Sequence, residues 1–317
     1  MRIIVRYCGG MLDSEVVRVY NACVAVRGFV AGRTMSVGEV RELWFGYSTF
    51  ELEEFALALG DGRVYGMVFA VASCPVGRVW VCVDPALPKY CVLKVLRALL
   101  SWARFRLVRE RVFVASIDCG YEHSRLHSMV REITGLVPEV TSLTLMEYGG
   151  RPAEPPKRTD IYVREGSLSD IPGVVEVWNK AFRKYSWFHE WSIDDAVRWY
   201  STRKLMLYVA TDRRRGEIVG YTDAEKRVGF DGSTYGYIYT LAVHPDAQGR
   251  GVGKVLLQHA VSELSKLKVK AVYLEAIPGL ENYYAKQGFR IARRKRVLIT
   301  NITNLSTETP LITKSVI

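Results

Sequence analysis

The residues of this chain that are best placed for chemistry lie in a glycine-rich stretch, Gln248-Gly249-Arg250-Gly251-Val252-Gly253-Lys254. It follows a run of aromatic and β-branched residues that predicts a buried strand from Tyr235 to Val243, ended by Pro245. Apolar residues then recur at helical spacing, which predicts a helix. Backbone N–H groups at a helix start have no intrahelical partner, and glycines let a polyanion approach them closely. The stretch therefore predicts a phosphate site.

Two common phosphate loops do not fit this stretch. A P-loop requires a glycine five residues before its Gly-Lys pair and a Ser or Thr after it, whereas Gln248 and Val255 stand there. The dinucleotide fingerprint fails because Lys254 takes the place of its third glycine. The pattern that remains, Gln248-x-x-Gly251-x-Gly253 after Ala-Val-His-Pro, resembles the acyl-CoA pyrophosphate loop of the GNAT family of N-acetyltransferases. A glycine-rich turn without a ligand is the alternative.

A second motif extends the resemblance. Residues Pro278 to Phe289 read P-G-x-x-x-Y-Y-x-K-x-G-F after a predicted strand, Ala271 to Ala276, and are similar to the family's second motif. The resemblance thus covers the second half of the chain. It implies a sheet domain whose fourth and fifth strands splay apart, and acetyl transfer from coenzyme A to an amine.

The resemblance also assigns cofactor contacts. The pantetheine arm of acetyl-CoA would lie between the splayed strands and pair with the backbone of Leu241, Ala242 and Val243. The pyrophosphate would be held by the loop, whose cofactor-binding residues are then Gln248, Gly249, Arg250, Gly251, Val252, Gly253 and Lys254.

The second motif places the family's catalytic tyrosine at Tyr284, where the phenol would donate a proton to the departing thiolate. A phenol with a pKa of about 10 suits a thiolate of comparable basicity. Two other interpretations stay open: Tyr283 takes this role, or Tyr284 merely packs at the helix interface.

A general base is harder to assign. Many family members carry a glutamate on the strand before the loop, but the matching positions hold Tyr237 and Tyr239, which strand alternation places on one face. The remaining interpretations are a water relay, a carboxylate on the preceding strand, either Glu225 or Asp223, or weak chemistry. We take Glu225 as the candidate catalytic carboxylate. The family's usual oxyanion donor is a backbone N–H group, here near Leu241.

The acceptor amine is expected beside an aromatic run, because this loop borders the acyl end of the cofactor in related folds. Several aromatic walls would suit an apolar or cationic substrate. Packing of the rings against the partner domain explains the run equally well. Its members are Tyr185, Trp187, Phe188, His189 and Trp191.

The chain contains an internal repeat. Adding 160 to the residue numbers lays Val83-Asp84-Pro85-Ala86 on Val243-His244-Pro245-Asp246. The same shift lays the apolar segment from Val112 to Ile117 on that from Val272 to Ile277. Several such matches in order predict two copies of one fold.

The two copies differ where chemistry is expected. The first copy lacks the glycines, so its side chains would obstruct a phosphate. The positions of Gln248, Gly251 and Gly253 are held there by Pro88, Cys91 and Leu93. We therefore predict a degenerate GNAT-like domain without cofactor at residues 1–148, a proline-rich linker at 149–160 and an acetyl-CoA-binding GNAT domain at 161–317.

The predicted fold class is α/β: two tandem GNAT-like domains, each a mixed, mostly antiparallel sheet with helices on both faces. In the second copy we expect strands at 161–164, 205–210, 218–227 and 271–276, with closing strands near 291–300 and 311–316.

Length and composition fit this organisation. The 317 residues allow two domains of ordinary size, and an apolar fraction of 49% argues against disorder. The net charge of +11 is compatible with a phosphorylated cofactor, an acidic partner or nucleic acid, but no RNA-binding motif accompanies the basic runs. Pro75 interrupts the apolar run from Val64 to Val83, which indicates two strands and not a membrane span.

The six cysteines all lie in the first half of the chain and form no C-x-x-C pair. Because no signal peptide is visible at Met1, we expect a cytoplasmic protein with buried reduced thiols, disulfides in a hyperthermophile being the exception. His123 and His127 are four residues apart, but with no third ligand apparent we expect no metal site.

Together these observations predict an acetyl-CoA-dependent N-acetyltransferase that acts on a small-molecule or peptide amine. A non-catalytic acyl-CoA-binding or regulatory protein is the alternative, because the strand glutamate is missing. A nucleic-acid-binding protein comes third and predicts steeply salt-dependent binding. The sequence leaves the acceptor and the oligomeric state open.

Overall fold

The chain divides into two compact units in the structure, which is a computed structural model. The structure describes residues 3–6, 10–26, 34–45, 54–72, 76–121, 125–135, 138–150, 160–185, 188, 190–203, 205–228 and 232–305. One unit consists of residues 1–143 with 293–317, and the other of residues 144–292. The units are therefore not two continuous halves of the chain.

The first unit contains a six-stranded sheet. Its strands are β1 (Ile3–Arg6), β2 (Phe55–Gly60), β3 (Arg63–Val71), β4 (Val76–Val83), β5 (Val114–Tyr121) and β12 (Phe289–Asn301), in that spatial order. β4 and β5 are parallel, and the other neighbours are antiparallel. The helices are α1 (Asp13–Val26), α2 (Val37–Val40), α3 (Lys89–Arg109) and α4 (Arg125–Thr134).

The second unit repeats this arrangement. Its strands are β6 (Glu139–Tyr148), β7 (Ile161–Glu165), β8 (Met206–Asp212), β9 (Ile218–Val228), β10 (Thr234–Val243) and β11 (Val272–Ala276). Their order is β6-β11-β10-β9-β8-β7, with β10 and β11 parallel and the other neighbours antiparallel. The helices are α5 (Ile171–Phe182), α6 (Ile193–Thr202), α7 (Val252–Lys266) and α8 (Glu281–Ala285).

Strand alternation gives the sheet of the second unit two apolar faces. One face packs on α7 and includes Ile238 and Leu274 with Leu256 of the helix. The other packs on α5 and α6 and includes Tyr221 and Ala242. Helices on both faces of a mixed sheet confirm the predicted fold class. The predicted closing segment 311–316 lies outside the described residues.

The last strand of each fold copy joins the sheet of the other unit. Thr144–Glu147 of β6 pair with Ala276–Tyr273 of β11, whereas β12 pairs with β5 from Lys295 to Asn301. The compact units therefore have other boundaries at these strands than the predicted division into residues 1–148 and 161–317. Local sequence determines that a segment is extended, but its partner strand is selected by long-range packing.

Two side-chain clamps support the internal repeat. The amide of Asn21 accepts a hydrogen bond from the Met35 N–H at 2.8 Å and donates one to the Met35 carbonyl at 3.0 Å. Asn179 makes the same two bonds with Trp191, at 2.8 and 3.0 Å. Each clamp fixes the start of the following helix to the helix that carries the asparagine.

The helix N-caps and two strand glycines also correspond between the two fold copies. Ser36 and Ser192 each directly follow the clamped residue, and each accepts a hydrogen bond from the first turn of α2 or α6. Gly66 and Gly220 occupy equivalent positions on β3 and β9, where a Cβ atom would stand 2.9 Å from a carbonyl oxygen of the neighbouring strand. Both copies therefore use the same local devices to build the same fold.

The copies diverge after β4 and β10. In the first copy α3 begins at Lys89, directly after Pro88. In the second copy the equivalent residues form an open loop, and α7 begins only at Val252, after Gly249 and Gly251 with φ angles of 75° and 78°. The helix of the first copy thus occupies the positions that form the glycine loop in the second.

Cys23 of α1 and Cys82 of β4 form a disulfide, with their Cα atoms 6.4 Å apart. The expectation that the cysteines are reduced thiols is wrong for this pair. The two residues are 59 positions apart and become neighbours because α1 packs on β4, which spacing alone does not reveal. Cys91 is a free thiol, and Cys8 and Cys74 lie outside the described residues.

Within the described ranges, no helix is both long enough and apolar enough to cross a membrane.

Candidate active site

β10 loses one of its two neighbours at a bulge. Up to Ile238 it lies between β9 and β11, and its parallel pairing with β11 ends at Ile238 and Leu274. Tyr239 is the extra residue of the bulge, and Thr240 resumes the pairing with β9 opposite Asp223. From the bulge onward β10 departs from β11, which opens a gap between the two parallel strands. This is the splay that the resemblance implies.

Backbone hydrogen bonds show which groups of β10 face this gap. The N–H groups of Thr240 and His244 both donate to groups on β9, at 2.8 and 2.9 Å. Successive residues of a strand direct their backbone groups to opposite edges, so those of Leu241 and Val243 face the gap. Ala242 is directed to β9, and its side chain lies in the core under α5 and α6. Leu241 and Val243 can therefore bind an amide-containing chain, whereas Ala242 supports the strand.

The loop after β10 concentrates backbone N–H groups at the start of α7. The positive φ angles of Gly249 and Gly251 turn the chain so that α7 begins at Val252. The first N–H groups of a helix have no carbonyl partner within it, and the helix dipole adds partial positive charge there. This arrangement fits the pyrophosphate of coenzyme A, with Gly253 and exposed Lys254 in the first turn.

Two loop side chains are engaged elsewhere. Arg250 donates to Asp212 at 2.9 Å and to Asp160 at 3.4 Å. Gln248 donates through its side-chain amide to the Val243 carbonyl at 3.1 Å. Arg250 thus offers a phosphate its backbone and not its guanidinium, and Gln248 fixes the turn between β10 and the loop.

The two adjacent tyrosines of α8 have different surroundings. A Cβ atom on Gly253 would stand 2.9 Å from the Tyr283 hydroxyl, so Tyr283 lies against the loop. Burial raises the pKa of Tyr283 to about 12. Tyr284 is 8% exposed, and burial, followed by the nearby phenols of Tyr283 and Tyr185, raises its pKa well above the ordinary value. The Tyr284 phenol therefore keeps its proton at neutral pH and can donate it.

The candidate carboxylate Glu225 belongs to a buried ionic cluster. It accepts hydrogen bonds at 2.5 Å from both Arg227 and the Tyr239 hydroxyl, and Arg203 lies 3.8 Å away. Burial acts to raise its pKa, but the charge of Arg227, the Tyr239 hydrogen bond and the charge of Arg203 outweigh it, so the pKa is lowered. A carboxylate in these surroundings suits an ion pair better than a proton acceptor.

Asp223, two residues earlier on β9, has different surroundings. It is 1% exposed, and burial raises its pKa to about 6 although hydrogen bonds from Tyr200 and Thr240 act to lower it. The Tyr200 hydroxyl donates to one carboxylate oxygen at 2.9 Å, and the Thr240 N–H donates to the other at 2.8 Å. Of the two carboxylates, Asp223 has the basicity that a proton acceptor near neutral pH requires.

The aromatic run is only partly described. Trp191 is buried in the core under α5 and α6, so it serves packing. The Tyr185 phenol contributes to the raised pKa of Tyr284, and Phe188 is half-buried. Trp187 and His189 lie outside the described residues.

Glu275 is a site residue that the sequence motifs did not predict. It directly follows Leu274, the last residue of β11 that pairs with β10, and therefore stands where the gap begins. The Tyr237 hydroxyl donates to its carboxylate at 3.1 Å. A half-buried carboxylate at this position can attract a cationic amine. The signal was present in the alternation of β11, where Glu275 interrupts a run of buried apolar residues.

No group of three or more His, Cys, Asp or Glu side chains among the described residues could hold a metal ion. His127 is buried on α4, and His123 lies outside the described part of the chain.

Comparisons with known proteins identify the family of the second fold copy. Residues 171–289 match the model of the acetyltransferase (GNAT) family. An L-methionine sulfoximine/L-methionine sulfone acetyltransferase of Pseudomonas aeruginosa is 30% identical over 121 residues, which are 36% of this chain and 69% of the relative. A Salmonella typhimurium protein of the same name is 28% identical over 105 residues, 32% of this chain and 61% of that relative's length. The chain belongs to the GNAT family of acetyltransferases.

The tandem arrangement also occurs in a solved structure. A tandem GNAT protein from the clavulanic acid biosynthesis pathway aligns over 92% of this chain and 94% of its own, with a TM-score of 0.65 and 14% sequence identity. At this identity the likeness concerns the fold, and it extends over both copies.

Proposed function

We propose that the protein is an acetyl-CoA-dependent N-acetyltransferase whose second fold copy binds the cofactor. The observation that carries this proposal is the continuity of the site: β10 runs from the gap directly into the glycine loop, and Tyr283 contacts that loop beside Tyr284. A binding groove, an anion site and a buried phenol thus adjoin one another.

Each part of the site has a proposed role. The backbone groups of Leu241 and Val243 would bind the pantetheine arm, and the N–H groups from Gly249 to Lys254 would bind the pyrophosphate. Bound acetyl-CoA supplies the acetyl thioester. The Leu241 N–H, which faces the gap, would stabilise negative charge on the thioester oxygen.

Tyr284 is the proposed general acid. Its burial keeps the phenol protonated, and protonation of the departing thiolate would use that proton. Tyr283 is the better candidate for a cofactor contact, because its hydroxyl lies against Gly253.

The first fold copy is proposed to bind no coenzyme A. Its α3 is already helical at Lys89 and Cys91, the positions that correspond to Gly249 and Gly251. A helical backbone cannot offer the open N–H cradle, and Cβ atoms stand where the glycines would admit a phosphate.

The proposed acceptor is a small amine such as a free amino acid. Two relatives are named L-methionine sulfoximine/L-methionine sulfone acetyltransferases. In this chain, Glu275 at the start of the gap provides a carboxylate that would attract an ammonium group.

Release of free thiol from acetyl-CoA, measured across a panel of amino acids and lysine peptides, tests the proposal. We expect turnover on at least one amine and a fall in kcat of about 100-fold or more in Tyr284→Phe. Tyr208→Phe, which removes another buried phenol of the same unit, is the control and should retain activity. Tight binding of acetyl-CoA without turnover on any amine would instead favour a non-catalytic acyl-CoA-binding protein.

A further inference from the structure

Three positions in the second copy hold a polar contact that the first copy replaces with aromatic rings. Asp223 lies three residues after Gly220, as Phe69 lies three residues after the equivalent Gly66. The strand pairings agree, because Asp223 lies opposite Thr240 and Phe69 lies opposite Trp80.

The third position lies in the helical segment that follows each clamped serine: α6 in the second copy, and the π-helical turn Arg41–Phe45 directly after α2 in the first. Tyr200 stands eight residues after Ser192, and Trp44 stands eight residues after Ser36. In the second copy Tyr200 contacts Asp223 through a hydrogen bond of 2.9 Å. In the first copy Trp44 contacts the equivalent Phe69, with ring centroids 5.5 Å apart. The same three positions therefore touch in both copies.

The first copy shows that this space can be filled without a carboxylate. The ring of Trp44 also lies 6.2 Å from that of Trp80, and Phe69 lies 5.4 Å from Trp80. Rings that pack in this way contribute apolar burial, and their only polar groups are the indole N–H donors of the two tryptophans. The fold itself therefore does not demand a carboxylate at this position.

The second copy buries a carboxylate there at an energetic cost. Asp223 is 1% exposed, and desolvation of an ionised carboxylate is unfavourable even when hydrogen bonds compensate part of it. Among the described residues, the glycine loop and the buried phenol of Tyr284 occur in this copy alone. The polar contact thus accompanies the cofactor site.

The contact also lies next to the expected reaction centre. The Thr240 N–H is directed to Asp223, and the next N–H along the strand, that of Leu241, faces the gap. Tyr200 is half-buried on α6, and its ring centroid lies 6.1 Å from that of Trp191 at the end of the aromatic run. Tyr200 therefore lies between the buried carboxylate and Trp191, where the aromatic run ends.

We propose that Tyr200 and Asp223 together accept the proton of the acceptor amine, an inference that rests on the proposed acetyltransferase function. The acceptor first releases its ammonium proton to solvent; as the neutral amine nitrogen then forms its bond to the acetyl carbon, its proton passes to the Tyr200 oxygen while the Tyr200 proton passes to Asp223. The carbon–sulfur bond breaks, and the thiolate takes its proton from Tyr284. Asp223 then returns a proton to Tyr284 through solvent, so that charge and protons balance over the cycle.

Other groups around Asp223 are consistent with this role. Asp223 interacts with Tyr200 of α6, with Arg203 directly after α6, with Thr240 of β10 and with Tyr221 of its own strand. Glu225 lies two residues further along the same strand, and Leu207 is the partner of Asp223 on β8. Burial raises the pKa of Asp223 to about 6 against the charge of Arg203. Asp223 is therefore ionised, and able to accept a proton, at neutral pH.

The test uses the full-length protein, saturating acetyl-CoA and the amine of the panel with the highest wild-type turnover. Between pH 5 and 8, wild-type kcat should fall below about pH 6 as Asp223 becomes protonated. In Asp223→Asn, kcat should fall by about 100-fold and that acid limb should disappear, while the Kd of acetyl-CoA stays within about twofold. In Tyr200→Phe, kcat should fall and the acid limb should move to higher pH, because a hydrogen bond to the ionised carboxylate is lost.

Asp170→Asn is the matched control, since Asp170 is a buried, hydrogen-bonded carboxylate of the same unit outside the site. It should leave kcat and the pH profile unchanged. If Asp223→Asn and Tyr200→Phe both retain the wild-type acid limb, the relay is refuted while the acetyltransferase function stands. If wild-type protein binds acetyl-CoA but acetylates no amine, the function fails and the relay fails with it. Should Asp223→Asn not fold, Tyr200→Phe alone decides.

Discussion

Asp223 and Glu225 show how surroundings differentiate two carboxylates on one strand. Both are buried on the same face of β9. Glu225 is paired with Arg227 and lies near Arg203, so its pKa is lowered despite burial. Asp223 has neutral hydrogen-bond donors as its closest partners, so burial dominates and raises its pKa to about 6. Residue type and spacing alone would assign both the same chemistry.

We expect Asp223→Asn to change the pH dependence of stability. The folded pKa of about 6 exceeds the unfolded value of about 4, so the wild-type free energy of unfolding falls as pH rises between these values. Asparagine does not titrate. The stability of the variant relative to wild type should therefore rise across this window, by about 3 kcal/mol at most. Urea unfolding at several pH values from 4 to 7 measures this difference.

Glu225→Gln should give the opposite sign. The folded pKa of Glu225 is lowered, so wild type holds its extra stability above the unfolded pKa of about 4.3 and loses it as pH falls through the folded pKa. The difference in the free energy of unfolding between wild type and this variant should therefore shrink as pH falls. Urea unfolding at several pH values measures this difference as well. Equal pH slopes for the two variants would contradict the opposed shifts.

At the scale of elements, the candidate site depends on where a helix begins. α3 starts immediately after its proline cap, and α7 starts three positions later in the equivalent frame. Glycine makes this delay possible, because Gly249 and Gly251 adopt left-handed φ angles that other residues rarely do. Because α7 begins later, the residues equivalent to the first turn of α3 form an open row of N–H donors in the second copy.

Gly251→Asp should weaken acetyl-CoA binding at least tenfold, because it adds a negative side chain beside the N–H groups that would hold the pyrophosphate. Gly232→Asp is the matched control, since Gly232 has a φ angle of 74° close to the 78° of Gly251 but precedes β10. Both variants should lose similar stability, and only the first should lose affinity. Calorimetric titration with acetyl-CoA measures the Kd of each variant, and thermal unfolding measures its stability. Equal Kd values in the two variants would contradict the loop assignment.

At the scale of the whole molecule, the compact units are not the fold copies. β6 comes from the first half of the sequence yet completes the sheet beside β11, and its Met146 is buried in the core of the second unit. A fragment that starts after the linker therefore lacks a strand of the unit that holds the candidate site.

A fragment of residues 139–317 should consequently have a higher unfolding temperature than one of residues 161–317. Loss of β6 exposes the edge of β11 and removes the Met146 side chain, a large apolar group, from the core. Scanning fluorimetry with and without acetyl-CoA measures both fragments. Equal unfolding temperatures would show that β6 contributes nothing to this unit.

Much of this protein could be predicted from local pattern. The strand before the loop, the α7 helix, the second motif and the duplication all follow from residue periodicity and spacing, because these features repeat over a few residues. The disulfide could not be predicted in this way, since Cys23 and Cys82 are far apart in sequence. The role of Glu225 was likewise hidden, because its pKa depends on Tyr239 and Arg203 from other segments as well as on Arg227 of its own strand.

The sequence by itself determined the family resemblance, the fold class and the glycine loop, because each is encoded in short, contiguous stretches. The tertiary structure alone decided which strands pair across the two copies, that Tyr283 and not Tyr284 lies against the loop, and that Asp223 meets Tyr200. These outcomes depend on packing between distant segments, where burial and neighbouring charge set both position and proton affinity.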